Sequence, residues 1–216
     1  MNAHSSKLII GVIGSGKGSN FHSIQSALAT TSIPAKVGCV ISDVENAYIL
    51  ERARHINIPA FHVDMSPFKT KLEGAAEEKV IEIMRRHGVG LIALAGFMRL
   101  VKPGLLKAFP NRVINIHPSL LPAFPGLRAW EQALHCGVKF TGCTVHFVDE
   151  GMDTGPIIVQ RVVSILDRDT PETLHARIQE QEHTAYPEAI KLIAGGLIRL
   201  EGRRVIRLAS DHQTDF

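Results

Sequence analysis

The sequence predicts a single α/β domain: a mainly parallel, twisted sheet with helices on both faces. Three observations carry this. Short apolar runs recur at 8–13, 36–41, 91–95 and 113–116, the form of strands buried on both faces. Stretches of helical period separate them, as alternating strand and helix units require. A glycine-rich turn follows the first run directly, as Gly14-Ser15-Gly16-Lys17-Gly18-Ser19-Asn20.

The elements follow in order. After the glycine turn, Phe21, Ile24, Ala27 and Leu28 lie at helical spacing. The strand at 36–41 leads into a helix at 47–55. A brief strand is expected at 59–61 and a helix at about 72–87. From Pro118 to Gly126 the chain carries three prolines and a glycine and reads as a loop. A short helix is expected at 128–135. Strands at 141–148 and 157–163 are joined by a loop at 149–156. Thr170-Pro171-Glu172 opens the last helix with a hydroxyl cap and a proline in the first turn. Pro187 is expected to end or kink it after Tyr186. We expect a tail at 1–6, the domain at 7–200 and a C-terminal extension at 201–216.

Composition narrows the function. The chain has 216 residues, 45% of them apolar, which suits one large domain. Its 24 basic and 21 acidic residues give only +3, with a basic run confined to Arg199, Arg203, Arg204 and Arg207. That is too little for a nucleic-acid or membrane footprint, so small-molecule substrates are expected. Cys39, Cys136 and Cys143 form no Cys-x-x-Cys pair, and two lie in apolar runs. With no signal-like segment and no long apolar run, the expectation is a cytoplasmic protein, monomer or homodimer.

Two motifs carry chemistry. Backbone N–H groups at a glycine turn opening a helix hold a phosphate without a charged side chain; a plain tight turn is the competing reading. The turn is no dinucleotide fingerprint, since Ser19 stands where the third glycine belongs. Nor is it a nucleoside-triphosphate loop, since Gly18 follows Lys17. The second motif is Asn115-Ile116-His117-Pro118, with Asp153 in a later glycine-rich loop. Asn115 and His117, two apart at a strand end, project to one side. An amide to hold an oxygen, an imidazole to carry a proton and a carboxylate to stabilise the imidazolium suit transfer of a carbonyl group. The bland readings are a His117 that caps a carbonyl, an Asn115 that bonds a turn and an Asp153 that forms one. Metal-ligand spacing is absent around His117, and His146 is expected to face away with a structural role, so no metal is expected. No Gly-x-Ser-x-Gly surrounds Ser119.

These residues resemble the phosphoribosylglycinamide formyltransferases, folate-dependent enzymes also called glycinamide ribonucleotide transformylases. The likeness rests on Ser15-Gly16-Lys17-Gly18-Ser19-Asn20, Ala95-Gly96-Phe97-Met98-Arg99, Asn115 to Pro122, Gly142 to Val148, Asp153 to Ile158 and Gln181-Glu182-His183. It implies a Rossmann-like formyltransferase fold, with 10-formyltetrahydrofolate as co-substrate and 5'-phosphoribosylglycinamide as acceptor. By this resemblance Asn115, His117 and Asp153 are catalytic. Gly18, Ser19, Asn20 and Glu182 bind the ribonucleotide. Met98, Arg99, Leu100 and Val101, with Val148, Asp149, Glu150, Gly151 and Asp153, bind the folate. Lys69 and Lys71 compete for a further phosphate contact. Gly14, where the family often has a larger apolar residue, is a departure. Two related activities share the Asn-x-His…Asp core: tRNA formylation, which uses a further C-terminal domain, and formyltetrahydrofolate hydrolysis, which accompanies an N-terminal regulatory domain. A non-catalytic folate or nucleotide binder is the reading from another class.

Overall fold

The computed structural model describes residues 7–208. The predicted tail at 1–6, and 209–216 of the predicted extension, lie outside the described residues. In chain order, the first half runs β1 (Leu8–Ile13), α1 (Ser19–Thr30), β2 (Ala35–Ser42), α2 (Tyr48–His55), β3 (Ala60–His62), β4 (Lys71–Leu72), α3 (Ala75–Arg86), β5 (Leu91–Leu94), β6 (Leu100–Val101) and α4 (Pro103–Ala108). The second half runs β7 (Val113–His117), α5 (Ala129–Cys136), β8 (Phe140–Phe147), β9 (Ile157–Ser164), α6 (Pro171–Ala194), β10 (Ile198–Glu201) and β11 (Arg204–Arg207).

Among the described residues the main sheet has seven strands in the order β3-β2-β1-β5-β7-β8-β9. The pairs from β3 to β7 are parallel, and β7–β8 and β8–β9 are antiparallel. The sheet is therefore mainly parallel, and it changes sense at β7, the strand that carries Asn115 and His117.

Burial explains the elements. Ile10, Val12 and Ile13 of β1 are fully buried, because side chains alternate between two covered faces. Ile10 and Val12 join Phe21 and Ile24 of α1, Ile49 and Leu50 of α2, and Leu174, Ile178 and Tyr186 of α6. Ile13 points the other way, with Val80, Ile83 and Met84 of α3 and Leu105 of α4. Each such side chain contributes about 1.5–3 kcal/mol relative to exposure.

Two expectations are corrected. Pro187 does not end helix α6, which continues to Ala194. The proline forfeits one backbone bond, but Ala185, Tyr186, Ala189 and Ile190 around it are fully buried, and their packing keeps the segment helical. The third helix starts at Ala75, because Lys71 and Leu72 instead pair with Leu100 and Val101 in a small parallel ladder.

The hairpin β10–β11 straddles the position expected to end the domain. Leu197, Ile198, Leu200 and Val205 pack on the main core. Arg207 pairs with Glu188 of α6 at 2.8 Å.

Candidate active site

The glycine turn leaves the end of β1 and is fixed from both sides. Gly14 N donates to Ile41 O at 3.0 Å and Ser15 N to Gly96 O at 3.1 Å. A Cβ on Gly14 would meet Ala95 O at 2.5 Å, so the local packing calls for glycine here. Gly18 is left-handed, at φ 71°, and caps α1. A Cβ on Gly18 would lie 2.7 Å from Ile49 Cγ1, whereas Gly16 has open space at that position. The first bond into α1 is from His22 N to Gly18 O at 3.0 Å. Among the described residues, no amide from Gly16 to Asn20 donates to a protein acceptor. These N–H groups, at the positive end of a helix, have the geometry an anion cradle needs. Lys17 is exposed, and its carbonyl accepts from Arg52 Nε at 3.0 Å.

The cradle and Glu182 meet through packing of α1 on α6. Asn20 Nδ2 donates to Glu182 Oε2 at 2.9 Å, and both residues are buried. Burial pushes the Glu182 carboxyl up, against the opposing pull of the Asn20 bond. Asn20 Oδ1 is buried without a hydrogen-bond partner. One turn along α6, the buried Tyr186 hydroxyl lies 2.8 Å from Leu94 O and 3.2 Å from Ile114 O.

Asn115, His117 and Asp153 come together although Asp153 is distant in sequence. His117 Nδ1 lies 3.3 Å from Asp153 Oδ2, and His117 Nε2 lies 2.8 Å from Phe124 O. Both ring nitrogens face acceptors, an arrangement that an imidazolium satisfies with two N–H donors. Asp153 Oδ2 also accepts from Gly126 N at 2.8 Å. Asp153 itself is left-handed, at φ 55°, an uncommon state for a residue with a side chain.

His146 belongs to this cluster, contrary to the expectation that it faces away. Asn115 and His146 are direct partners across the antiparallel β7–β8 ladder, so their side chains share a face. Asn115 Nδ2 lies 3.4 Å from His146 Nε2, and His146 Nε2 lies 3.8 Å from Asp153 Oδ1. Burial pushes the His146 pKa down, favouring the neutral ring. Its Nδ1 lies 2.8 Å from Phe147 O, which fixes the N–H there and leaves Nε2 to accept from Asn115. That shared face follows from the antiparallel pairing, which no local sequence signal gives. Gly126 and Phe124, which reach the trio through backbone atoms, left no such signal.

The expected folate strip adjoins the cradle. Met98 N donates to Ser15 Oγ at 3.2 Å, and Leu100 N to Thr70 O at 2.9 Å. Met98 and Leu100 are exposed. The Arg99 side chain is committed elsewhere, to Asp43 Oδ2 at 2.6 Å and to Phe68 O. Lys71 is also committed, paired with Glu73 and 4.4 Å above the Phe68 ring, whereas Lys69 is exposed. The loop after β8 is braced internally: Asp149 Oδ1 accepts from Gly151 N at 3.1 Å and from Thr154 Oγ1 at 2.6 Å. Val148 N donates to Val113 O at 2.8 Å, while Glu150 and Gly151 are exposed. Among the described residues, no group of three or more His, Cys, Asp and Glu side chains is arranged to hold a metal ion.

The sequence profile of the family described as formyl transferase matches residues 8–190. The chain belongs to the formyl transferase family. Among formyl transferases it is 47% identical to the phosphoribosylglycinamide formyltransferase of Bacillus subtilis, over 85% of this chain and 93% of that one. The crystal structure of glycinamide ribonucleotide transformylase 1 from Symbiobacterium toebii superposes with a TM-score of 0.91 at 48% identity, covering 97% of this chain and 99% of that one. A formyltetrahydrofolate deformylase from Pseudomonas syringae shares the fold, with a TM-score of 0.87 at 25% identity, covering 94% of this chain but 66% of that one. Among the described residues of this formyl transferase, no helix is long and apolar enough to cross a membrane.

Proposed function

We propose that the chain transfers the formyl group of 10-formyltetrahydrofolate to the amine of 5'-phosphoribosylglycinamide. The products are 5'-phosphoribosyl-N-formylglycinamide and tetrahydrofolate, within de novo purine biosynthesis. One observation carries the reading beyond family membership: the free amides of the glycine turn lie beside a strip with exposed Met98 and Leu100, and the Asn115, His117 and Asp153 cluster stands at the same end of the sheet. Transfer needs a site for each substrate, whereas hydrolysis needs no phosphate cradle.

In this reading the cradle amides from Gly16 to Asn20 hold the ribonucleotide phosphate, and Glu182 receives its sugar or glycinamide portion. The strip from Met98 to Val101 holds the folate through backbone groups, and residues 148–153 enclose the pterin. The neutral amine attacks the formyl carbon, forming a C–N bond and a tetrahedral oxyanion. The Asn115 amide stabilises that oxyanion, and so does His117 as imidazolium once its Nε2–H leaves the Phe124 carbonyl for it; removing one such donor typically costs about 3–4 kcal/mol in the barrier. Collapse breaks the bond to the folate N10. The amine proton passes to that nitrogen through water organised by Asp153. No covalent enzyme intermediate and no metal enter these steps. Holding both substrates in one cleft lowers the entropic part of the barrier. The reading places the protein in the cytoplasm, acting on small molecules as a monomer or homodimer.

The test is tetrahydrofolate formation with and without the ribonucleotide. Strict dependence on the ribonucleotide, with stoichiometric formylated product, is expected. Equal rates without it would identify a deformylase.

A further inference from the structure

We infer that Arg203, in the turn of the C-terminal hairpin, is a positioning residue that holds the Asp153 loop in place. The inference rests on the formyl-transfer reading above, and it concerns a residue beyond the stretch matched by the family profile, which ends at 190.

The loop has a structural problem. Asp153 must point its carboxylate at His117 and Gly126 from a left-handed backbone. Such a conformation persists in a residue with a side chain only where its surroundings over-determine it. Asp149 supplies part of that restraint through Gly151 and Thr154, but those three residues all belong to the loop itself. Its other ties to the body of the protein include Val148 N to Val113 O at its start and those of Asp153 itself, to Gly126 N and His117.

Arg203 supplies a further tie, from the hairpin, that does not use the Asp153 side chain. Its Nη2 donates to Thr154 O, the carbonyl next in sequence to Asp153. Its Nη1 lies 4.0 Å from Asp149 Oδ2. The planar guanidinium thus reaches both ends of the turn at once, which a point-charge ammonium on one stem does less well. The ion pair is long and the arginine side chain is 74% exposed, so the charge pairing contributes little. The weight falls on the bond to the carbonyl. The hairpin behind Arg203 is itself anchored, by apolar packing of Ile198, Leu200 and Val205 and by the Arg207–Glu188 pair. Between hairpin, loop and the proline-rich segment lies a cavity of about 480 Å³, lined by Asp153, Thr154, Arg203 and Arg204. Arg203 lines this space, with its guanidinium at Thr154 and Asp149.

The test compares Arg203→Ala, Arg203→Lys and Arg204→Ala with the parent chain. Two measurements are made: steady-state formyl transfer, and amide hydrogen exchange of residues 149–155 in the substrate-free protein. For Arg203→Ala we expect kcat to fall about 3- to 10-fold, the size of one lost exposed hydrogen bond. The ribonucleotide KM should be unchanged, because its site lies on α1 and α6. Exchange in the loop should rise by a similar factor. Arg203→Lys should recover part of both effects, and Arg204→Ala should change neither. Loop exchange and kcat at parental values in Arg203→Ala would overturn the inference. Faster exchange with parental kcat would equally overturn it, since the loop would then be held to no catalytic end. If Arg203→Ala does not fold, the Lys variant decides by the same two measurements, with loss of kcat expected to track loop exchange. A parent chain that fails to formylate the ribonucleotide would remove the proposed function, while loop exchange still reports whether Arg203 holds the loop.

Discussion

Asn20 and Glu182 are joined by a 2.9 Å hydrogen bond that links the first turn of α1 to the middle of α6. Burial favours the neutral carboxyl of Glu182, so its folded pKa lies above its unfolded one. With that sign, the folded state loses stability as pH rises through the window that begins near the usual carboxylate pKa of about 4.3. Glu182→Gln keeps an acceptor for Asn20 and removes the charge. We expect its melting temperature to gain on the parent as pH rises from about 4 to 8, while its ribonucleotide KM increases. Thermal melts across pH, paired with kinetics, check both; a KM equal to the parent's would remove Glu182 from the binding site.

Replacing His117 by Ala should lower kcat about 10²- to 10⁴-fold, with the fold intact. His146→Ala should lower it by about one order of magnitude, because that ring orients the Asn115 amide instead of donating to the reacting oxygen. Saturation kinetics and circular dichroism on both variants read the difference. Equal losses would mean that His146 also takes part in proton transfer.

Gly18→Val should be destabilising before it is a binding defect, because the new side chain meets Ile49 and the backbone there is left-handed. Gly16→Ala, which meets open space, is the sharper probe of phosphate approach. It should raise the ribonucleotide KM with little change in melting temperature. Lys17→Ala should change that KM only modestly, and folate binding measured alone should be unaffected by either. Tight ribonucleotide binding by Gly16→Ala would place the phosphate elsewhere.

Asp169 caps the approach to α6 and pairs with Arg177 at 2.6 and 2.8 Å. Leu166 N at 2.7 Å and Thr173 Oγ1 at 2.9 Å complete its shell. The Arg177 bond is the leading cause that holds this carboxyl well below the usual range. Its stabilisation is therefore full above the unfolded pKa of about 3.9 and is lost as pH falls below that value. Asp169→Asn should cost about 2 kcal/mol at neutral pH, and the gap should narrow under acid. Urea titrations at neutral and acidic pH test this; a gap constant with pH would contradict the pairing.

The sheet, the glycine turn and the Asn115–His117 pair were legible because each leaves a local trace: apolar runs, clustered glycines, and polar residues at a strand end; Asp153 was joined to that pair by the resemblance. What escaped is non-local. The side toward which His146 faces depends on antiparallel pairing with β7, and antiparallel sense is not written in either strand alone. That Gly18 lies against Ile49 depends likewise on where α2 packs. Pro187 looked like a helix end because propensity is local and the burial that overrides it is not. Two-residue strands such as β4 and β6 are too short to leave any period.

Glu182 and Tyr186 lie one turn apart on α6, and the Tyr186 hydroxyl reaches the carbonyl of Ile114, the residue before Asn115. The helix that carries Glu182 is thus bolted to the strand that carries Asn115. One helical turn advances about 5.4 Å. The offset between the two groups is accordingly set by the pitch of a single rigid rod. It works as a ruler cut from one piece, which thermal rocking of the surrounding loops cannot re-calibrate.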